Sequence, residues 1–235
     1  MKSILPIIKK TPVLKNLADI WSKIKLTNDS FPGSSAYWEK RYAKGGTSGD
    51  GSYNRLAIYK AETINSFVKE NSIQSIIEFG CGDGNQLSLA RYPKYIGIDV
   101  SPTIIQKCTE RFKDDASKSF FLHDTALLQS NSDAFLSELS LSLDVVFHLV
   151  EENVFIEHMN NLFLYASKFV IIYSSNFNME QTYHEKDRKF TDWVETHQKN
   201  WKLKQKIPNK YSFDPKDPDN TSKSDFYIFE HSGNN

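Results

Sequence analysis

Residues 75–84 read Ser-Ile-Ile-Glu-Phe-Gly-Cys-Gly-Asp-Gly, an apolar run followed by three glycines at alternate positions. The run Ser75–Phe79 predicts a short buried strand. The glycines predict a tight turn in which a ligand can touch the backbone, because a Cβ would block that approach. A Gly-rich turn alone does not identify the ligand, but a dinucleotide fingerprint would need a glycine where Asn85 stands.

A carboxylate closes the next predicted strand, about twenty residues further on. Asp99 ends the apolar stretch Tyr95–Val100, where an acidic side chain can accept hydrogen bonds from two ribose hydroxyls. The alternative role for Asp99 is that of a helix N-cap, but Ser101, directly before Pro102, fits that role better. The turn and the carboxylate together favour a ligand that carries a nucleoside.

Strand-like and helix-like stretches alternate through most of the chain, which predicts a doubly wound α/β fold with a mainly parallel sheet. Two late strands are predicted to join as antiparallel edge strands. The predicted strands are Ser75–Phe79, Tyr95–Val100, Ser119–His123, Leu143–His148, Phe169–Ser174, Lys202–Ile207 and Asp225–Glu230. The predicted helices are Ala36–Ala43, Ser52–Asn71, Gln86–Tyr92, Pro102–Phe112, Asp133–Leu139 and Glu152–Ala166.

The first 35 residues differ in composition and are predicted to form an N-terminal helical extension to a main domain at 36–235. Apolar residues recur at helical spacing in Val13–Leu26, among many lysines. This basic face could contact an anionic membrane or a partner protein. The preferred interpretation is a helix packed over the main domain with its lysines solvated.

Composition restricts the function further. Lys plus Arg equals Asp plus Glu at 29 each, so the chain has no global basic field, and we expect no nucleic acid among its partners. No apolar run approaches the roughly 20 residues of a membrane span. Two cysteines do not make a disulfide scaffold. The expected protein is a cytoplasmic enzyme.

The motifs resemble those of the class I S-adenosylmethionine-dependent methyltransferases. The family's first motif matches Glu78–Gly84, its acidic strand end matches Asp99, and its later strand matches the stretch from Asp144 to Glu152. The resemblance covers roughly residues 37–176 and implies a Rossmann-like methyltransferase fold with S-adenosyl-L-methionine as cofactor. It implies cofactor contacts from Tyr37, Trp38, Arg41, Glu78, Gly80, Cys81, Gly82, Gly84, Asp99, Val100, Asp124, Thr125 and His148.

Within that resemblance, several residues have specific expected roles. Glu78 would orient the turn and the methionine ammonium region, and Asp124 would accept from the adenine amino group. The segment Tyr37–Tyr42 resembles the N-terminal segment of small-molecule methyltransferases, where aromatic residues close over the cofactor. Arg41 could then pair with the methionine carboxylate in a fork geometry.

A narrower resemblance is to bacterial methyltransferases found among capsule and O-antigen polysaccharide enzymes. It rests on Tyr37–Gly51, His148–Glu152 and Arg188–Trp193. It implies a small-molecule or glycan acceptor, such as a sugar, a nucleotide sugar or a phosphorylated glycan precursor, and O-methylation of a hydroxyl in polysaccharide biosynthesis.

Three residues are candidates for catalysis. His148 stands at the end of the fourth predicted strand and could act as a general base or steer the acceptor; a structural imidazole is an equally good interpretation. His184 and Arg188 would share a helix face and could present a base and an anion-binding group to the acceptor. A solvated charge run is slightly favoured for that pair.

No metal site is expected. Asp144 would begin the fourth strand and so lie at the edge of the sheet far from the ligand. Glu151 and Glu152 should diverge on a helix, and no His/Cys cluster has zinc spacing. Two rival functions remain: a nicotinamide-dependent oxidoreductase on the same architecture, and a non-catalytic S-adenosylmethionine-binding scaffold in glycan assembly.

Overall fold

The structure is a computed structural model that describes residues 31–234. One sheet holds the seven strands of this region: β1 (Ile76–Phe79), β2 (Tyr95–Asp99), β3 (Lys118–Leu122), β4 (Ser137–Leu143), β5 (Ala166–Ser174), β6 (Trp201–Ile207) and β7 (Asp225–His231). Their order across the sheet is β3-β2-β1-β4-β5-β7-β6. The first five strands are parallel, and β7 is antiparallel to both of its neighbours. The predicted α/β class and mainly parallel sheet are confirmed.

Helices flank this sheet along the chain. They are α1 (Ser34–Ala43), α2 (Asn54–Glu70), α3 (Pro102–Arg111), α4 (Thr125–Ser130), α5 (Ser132–Phe135), α6 (Glu152–Leu164) and α7 (Phe190–His197). As predicted, Ser101 caps α3: its side chain accepts from the backbone N–H of Ile104, with Pro102 at the first helical position.

The central strands are buried on both faces, as a sheet with crossover helices requires. Ile76 and Ile77 are adjacent in β1 but belong to two different apolar clusters, because side chains alternate between the faces of a strand. The same alternation divides Ile171 and Ile172 in β5. The order of the strands reverses beside β1, which leads to β2 on one side and borders β4 on the other. Ligands of such sheets bind at this switch point.

The fourth strand is not where the sequence pattern predicted it. It runs from Ser137 to Leu143 instead of Leu143–His148, and α5 ends at Phe135, so the helix predicted over Asp133–Leu139 is wrong. The cause is the polar sequence Ser-Glu-Leu-Ser-Leu-Ser-Leu, whose Ser140 and Ser142 are fully buried. The hydroxyl of Ser142 is hydrogen-bonded to Nε2 of His158, 2.9 Å away, so it is not left unpaired.

Two smaller predictions also need correction. The stretch Gln86–Tyr92 forms only one 3-10 turn, Leu87–Leu89, in place of a helix. Of the two predicted antiparallel edge strands, β6 lies at the edge, whereas β7 is enclosed between β5 and β6. The predicted helix Val13–Leu26 lies outside the described residues. Within the described part of the chain, none of the helices has the length and apolarity that crossing a membrane requires.

Candidate active site

The glycine turn and the carboxylate that ends β2 are joined directly. The backbone N–H of Gly82 donates to Asp99 Oδ2 at 3.0 Å, and the N–H of Ser101 donates to Oδ1 at 3.0 Å. Asp99 is only 7% exposed, and this burial raises the pKa of its carboxyl to about 6. The carboxylate is therefore fixed beside the turn before any ligand arrives.

The turn needs its glycines for two different reasons. Gly80 has a φ of +85°, and a Cβ there would lie 2.5 Å from Val145 Cγ2. Gly84 also has a positive φ, but a Cβ on it would meet Phe112 and Cys108, so this glycine allows close packing against α3. Gly80 and Gly82 line a cavity, together with Cys81.

Glu78 lies in β1, directly before the turn, and also lines that cavity. Its Oε2 accepts a hydrogen bond from the Tyr95 hydroxyl at 2.6 Å. Burial raises the pKa of this carboxyl to about 7. The bond from Tyr95 holds the Glu78 carboxyl in place at the wall of the cavity.

The cavity encloses about 250 Å³ and opens at the carboxyl ends of β1, β2 and β4. It brings together residues that the sequence places far apart. Besides Glu78, Asp99 and the residues of the glycine turn, its lining includes Trp38 of α1, Lys60 of α2, Gln86, Val100, His123, Asp144, His148 and Glu157.

His148 ends a 3-10 turn, Val146–His148, that follows β4. Its Nδ1 lies 3.2 Å from the backbone carbonyl of His184; because a carbonyl only accepts, Nδ1 carries the proton and Nε2 has the free lone pair. Burial lowers the pKa of the imidazole to about 4. The ring also packs edge-on against Trp38, at 5.0 Å between centroids. At neutral pH, His148 is a neutral acceptor inside the cavity.

A stack of rings extends from His148. His184 lies parallel to it at 5.4 Å, and Tyr37 stacks on His184 at 4.8 Å. His148, His184 and Glu185 each offer one ligand atom, and these three atoms lie within 4.8 Å of one another. The three residues could therefore hold a divalent cation. The sequence search for metal spacing missed this group because 36 residues separate its two histidines.

Asp144 lies on the ligand side of the sheet, so its predicted position at the opposite edge is wrong. It follows β4, with a φ of +58° that only a few non-glycine residues adopt. Its Oδ2 pairs with Lys60 Nζ at 2.8 Å, and its Oδ1 accepts from the Ser224 hydroxyl at 2.8 Å. The misplacement of β4 by the sequence pattern caused the error.

Arg188 does not reach the acceptor side of the cavity. Residues 183–189 form no helix, so His184 and Arg188 do not share a helix face. The guanidinium donates to the backbone carbonyls of Leu149 and Val150, at 2.6 and 3.0 Å. The structure thus gives Arg188 a bracing position behind the loop that carries His148, instead of the predicted anion-binding position.

Arg41 and Tyr37 also lie outside the cavity lining. Arg41 donates from Nε to the carbonyl of Thr47 at 2.7 Å and lies over the Trp38 ring at 5.5 Å. It supports the glycine-rich loop after α1. Of the aromatic residues in the predicted segment, Trp38 and Tyr42 line the cavity.

On the predicted adenine side, Asp124 and Thr125 also lie outside the cavity lining. Asp124 is the N-cap of α4, and its carboxylate accepts from the Leu127 N–H at 3.0 Å. Thr125 donates its hydroxyl to Glu157. The cavity wall here consists of Val100, His123 and Glu157.

Sequence reasoning missed the polar residues that hold α1 over the site. Ser34 donates from its N–H and its hydroxyl to Glu151, at 2.8 and 2.6 Å. At the other end, Glu39 accepts from the hydroxyls of Ser101 and Thr103. Single serines and acids carry no pattern, so only the fold could reveal these partners.

Comparisons with known proteins agree with this architecture, although no family model matches the chain. A curated relative, the small RNA 2′-O-methyltransferase of Arabidopsis thaliana, is 26% identical over 133 residues. The match spans 52% of this chain and only 14% of that protein's length.

Two solved structures show the similarity of fold. The methyltransferase domain of bacterial CtHen1-C has a TM-score of 0.57 and 20% identity, covering 75% of this chain and 99% of that domain. The N-methyltransferase NodS from Bradyrhizobium japonicum WM9, in complex with S-adenosyl-L-homocysteine, has a TM-score of 0.64 and 13% identity. It covers 85% of this chain and 99% of the NodS chain.

These findings correct one prediction. The expectation that nucleic acid is excluded as a partner is wrong, because the curated relative and the solved structure of HEN1, which also matches, are small RNA methyltransferases. A balanced net charge does not exclude an RNA acceptor. The matches do not support the narrower resemblance to capsule and O-antigen enzymes. The chain has the Rossmann-like fold of its matched methyltransferases, which confirms the fold expected from its sequence. The matched structures include complexes with S-adenosyl-L-homocysteine and with S-adenosyl-L-methionine, the cofactor that the sequence resemblance implies.

Proposed function

We propose that this protein transfers the methyl group of S-adenosyl-L-methionine to a sugar hydroxyl, with the ribose 2′-hydroxyl of RNA as the first candidate acceptor. One observation supports the proposal above all. The backbone N–H of Gly82 and the carboxylate of Asp99 form a hydrogen-bonded clasp, and this clasp lines the same cavity as the neutral imidazole of His148. A nucleoside held by the clasp has a potential proton acceptor in the same cavity.

The donor side of the proposal rests on hydrogen-bonding capacity. Each carboxylate oxygen of Asp99 accepts one hydrogen bond from a backbone N–H. Because a carboxylate has about four acceptor positions, Asp99 can still accept from ribose hydroxyls. Gly80 and Gly82 allow the ligand to approach the backbone. Val100 and His123 offer the wall for a base.

The acceptor side rests on His148. The bond to the His184 carbonyl leaves Nε2 unprotonated, so it can accept the acceptor's hydroxyl proton while the new O–CH₃ bond forms and the S–CH₃ bond breaks. The sulfonium becomes a neutral thioether in that step. An imidazole with a pKa near 4 is a weak base, but the donor methyl is already activated, so alignment and exclusion of water carry most of the work.

The choice of RNA as first acceptor comes from the relative, a small RNA 2′-O-methyltransferase. A second candidate is the sugar hydroxyl of a nucleotide sugar or phosphorylated glycan precursor. It is favoured by the sequence resemblance of residues 37–51, 148–152 and 188–193, and by the absence of an excess of basic residues. Both acceptors present the same chemical group.

A turnover experiment tests the proposal. The full chain is incubated with methyl-labelled donor and a short RNA, with the 2′-deoxy oligonucleotide as matched control. Parallel reactions contain nucleotide sugars and phosphosugars. Label in RNA but not in its 2′-deoxy counterpart supports the first acceptor, and label only in the sugars supports the second. Absence of both product and S-adenosyl-L-homocysteine binding overturns the proposal.

Chelation separates the two roles open to His148. If Nε2 acts as the base, turnover after dialysis against EDTA should equal the untreated rate. If His148, His184 and Glu185 hold a required cation, turnover should fall and recover when a divalent metal is added. The second result would remove the general base from the proposal while leaving the transfer itself intact.

A further inference from the structure

Gln86 has an acceptor without a partner in the wall of the cavity. The side chain is 7% exposed, and its Nε2 donates to the backbone carbonyl of Ala57 at 3.1 Å. A carbonyl can only accept, so this bond fixes the orientation of the amide and turns Oε1 away from Ala57. Among the described residues, Oε1 has no hydrogen-bond partner. A buried acceptor left unpaired is costly, which calls for an explanation.

Lys60 lines the same cavity from the same helix as Ala57. Its side chain is fully buried, and its ammonium donates to Asp144 Oδ2 at 2.8 Å. An ammonium has three donors, and that bond uses one of them. The aromatic face of Tyr173 lies 5.2 Å from Nζ. The cavity therefore contains a fixed cation with donor capacity to spare.

Topology places the Lys60–Asp144 pair on the side of the turn opposite to Asp99, and Gln86 is bonded to Ala57, three residues before Lys60 in the same helix. Strand β1 lies between β2, which ends at Asp99, and β4, which Asp144 follows. A nucleoside clasped at Asp99 would extend past Gly80 and Gly82 toward Lys60, Glu78 and Gln86. There it meets one cation and two acceptors, the complement of an α-amino acid zwitterion.

We infer that Lys60 and Gln86 bind the amino-acid end of the methyl donor, Lys60 through the carboxylate and Gln86 Oε1 through the ammonium. The inference rests on the proposed function. It replaces Arg41 as the partner of the carboxylate, since Arg41 is engaged with Thr47 outside the cavity lining. Glu78 is the second acceptor for the ammonium.

Truncating the ligand tests this assignment. S-adenosyl-L-homocysteine carries the amino-acid end, and 5′-methylthioadenosine lacks it while keeping the nucleoside. Measured by calorimetry, the affinity of Gln86→Leu for S-adenosyl-L-homocysteine should be about 10- to 100-fold lower than that of wild type, the usual range for a lost hydrogen bond to a charged group. Its affinity for 5′-methylthioadenosine should stay within about twofold of wild type. The exposed Gln74, changed to Leu, is the matched control and should affect neither ligand.

Lys60 needs a paired variant because removing it alone leaves Asp144 without its cation. The double variant Lys60→Met with Asp144→Asn is neutral overall, and thermal unfolding should show that it folds. It should also lose affinity for S-adenosyl-L-homocysteine selectively.

Three outcomes count against the inference. It is overturned if wild type binds both ligands equally, if either variant weakens both ligands to the same extent, or if both variants keep full affinity for S-adenosyl-L-homocysteine. Wild type that binds neither ligand overturns the proposed function itself, which distinguishes the two failures.

Discussion

Two aspartates lie at the carboxyl ends of β2 and β4, the strands on either side of β1, and they differ in how their surroundings are built. Asp99 takes its partners from the backbone N–H groups of Gly82 and Ser101, both within 17 residues of it. Asp144 takes its partners from Lys60 and Ser224, which lie 84 and 80 residues away in the chain. The first carboxylate belongs to a local motif, whereas the second depends on the complete fold.

The same difference separates the two halves of the site. The part of the donor half that would hold the nucleoside is concentrated between residues 75 and 101, where a strand, a turn and a second strand succeed one another. The acceptor half combines Trp38, His148 and the loop around His184, which only the folded sheet brings together. Variants in each half should therefore have distinct effects on donor binding and on turnover.

The largest effect should come from the acceptor half. His148→Ala removes the proposed proton acceptor, so turnover should fall by about 10²- to 10⁴-fold, the usual contribution of a general base. Affinity for S-adenosyl-L-homocysteine should remain within about threefold, because Asp99 and the turn are intact. Turnover with labelled donor and calorimetry measure the two quantities.

His197→Ala is the control for that variant, since His197 is an exposed imidazole at the end of α7, bonded only to the Trp193 carbonyl among the described residues. It should leave turnover unchanged. A His148 variant with near wild-type turnover would mean that the imidazole has only a structural role.

The next effect belongs to the donor half. Asp99→Asn keeps the shape of the side chain but loses the charge that accepts from the ribose, so donor affinity should fall by about 10- to 100-fold. Asp124→Asn is the matched control, because Asp124 caps α4 and asparagine caps equally well. Equal losses in the two variants would restore the sequence prediction that Asp124 binds adenine.

The pH dependence of donor binding follows from the same carboxyl. Burial raises the pKa of Asp99 to about 6, so the carboxylate is ionised above pH 6 and protonated below it. Affinity measured by calorimetry should therefore fall by about tenfold between pH 7 and pH 5 in wild type. In Asp99→Asn this decrease should disappear. An identical decrease in that variant would assign the titration to another group, such as Glu78.

What the sequence could predict follows the same division between local and long-range contacts. Strands β1 and β2, the turn and Asp99 were readable because their apolar runs and glycines are local. The serines of β4 made a buried strand look polar in the sequence. Ser142 can be buried because its hydroxyl is hydrogen-bonded to His158, which belongs to α6. Arg188 looked like a free charge because its carbonyl partners lie 38 and 39 residues earlier. No local pattern carries that information.

A smaller effect should measure how closely the backbone of the turn is approached. Gly80 and Gly45 have similar φ values of +85° and +81°, so alanine pays the same conformational cost at both. A Cβ at Gly45 meets nothing within 4 Å, whereas one at Gly80 strikes Val145. Urea unfolding should show Gly80→Ala less stable than Gly45→Ala by about 1 kcal/mol or more. Equal losses would mean that Val145 yields without cost.

The smallest effect should come from Arg41, where sequence resemblance and geometry disagree. Resemblance assigns this side chain to the methionine carboxylate, but its Nε is engaged with Thr47 and the residue is absent from the cavity wall. Arg41→Ala should therefore change affinity for S-adenosyl-L-homocysteine by no more than about twofold. Its loss should instead loosen the glycine-rich loop, visible as faster amide exchange over residues 45–49, because the bond to Thr47 disappears. A tenfold loss of affinity with unchanged exchange would show that the side chain turns inward to meet the donor.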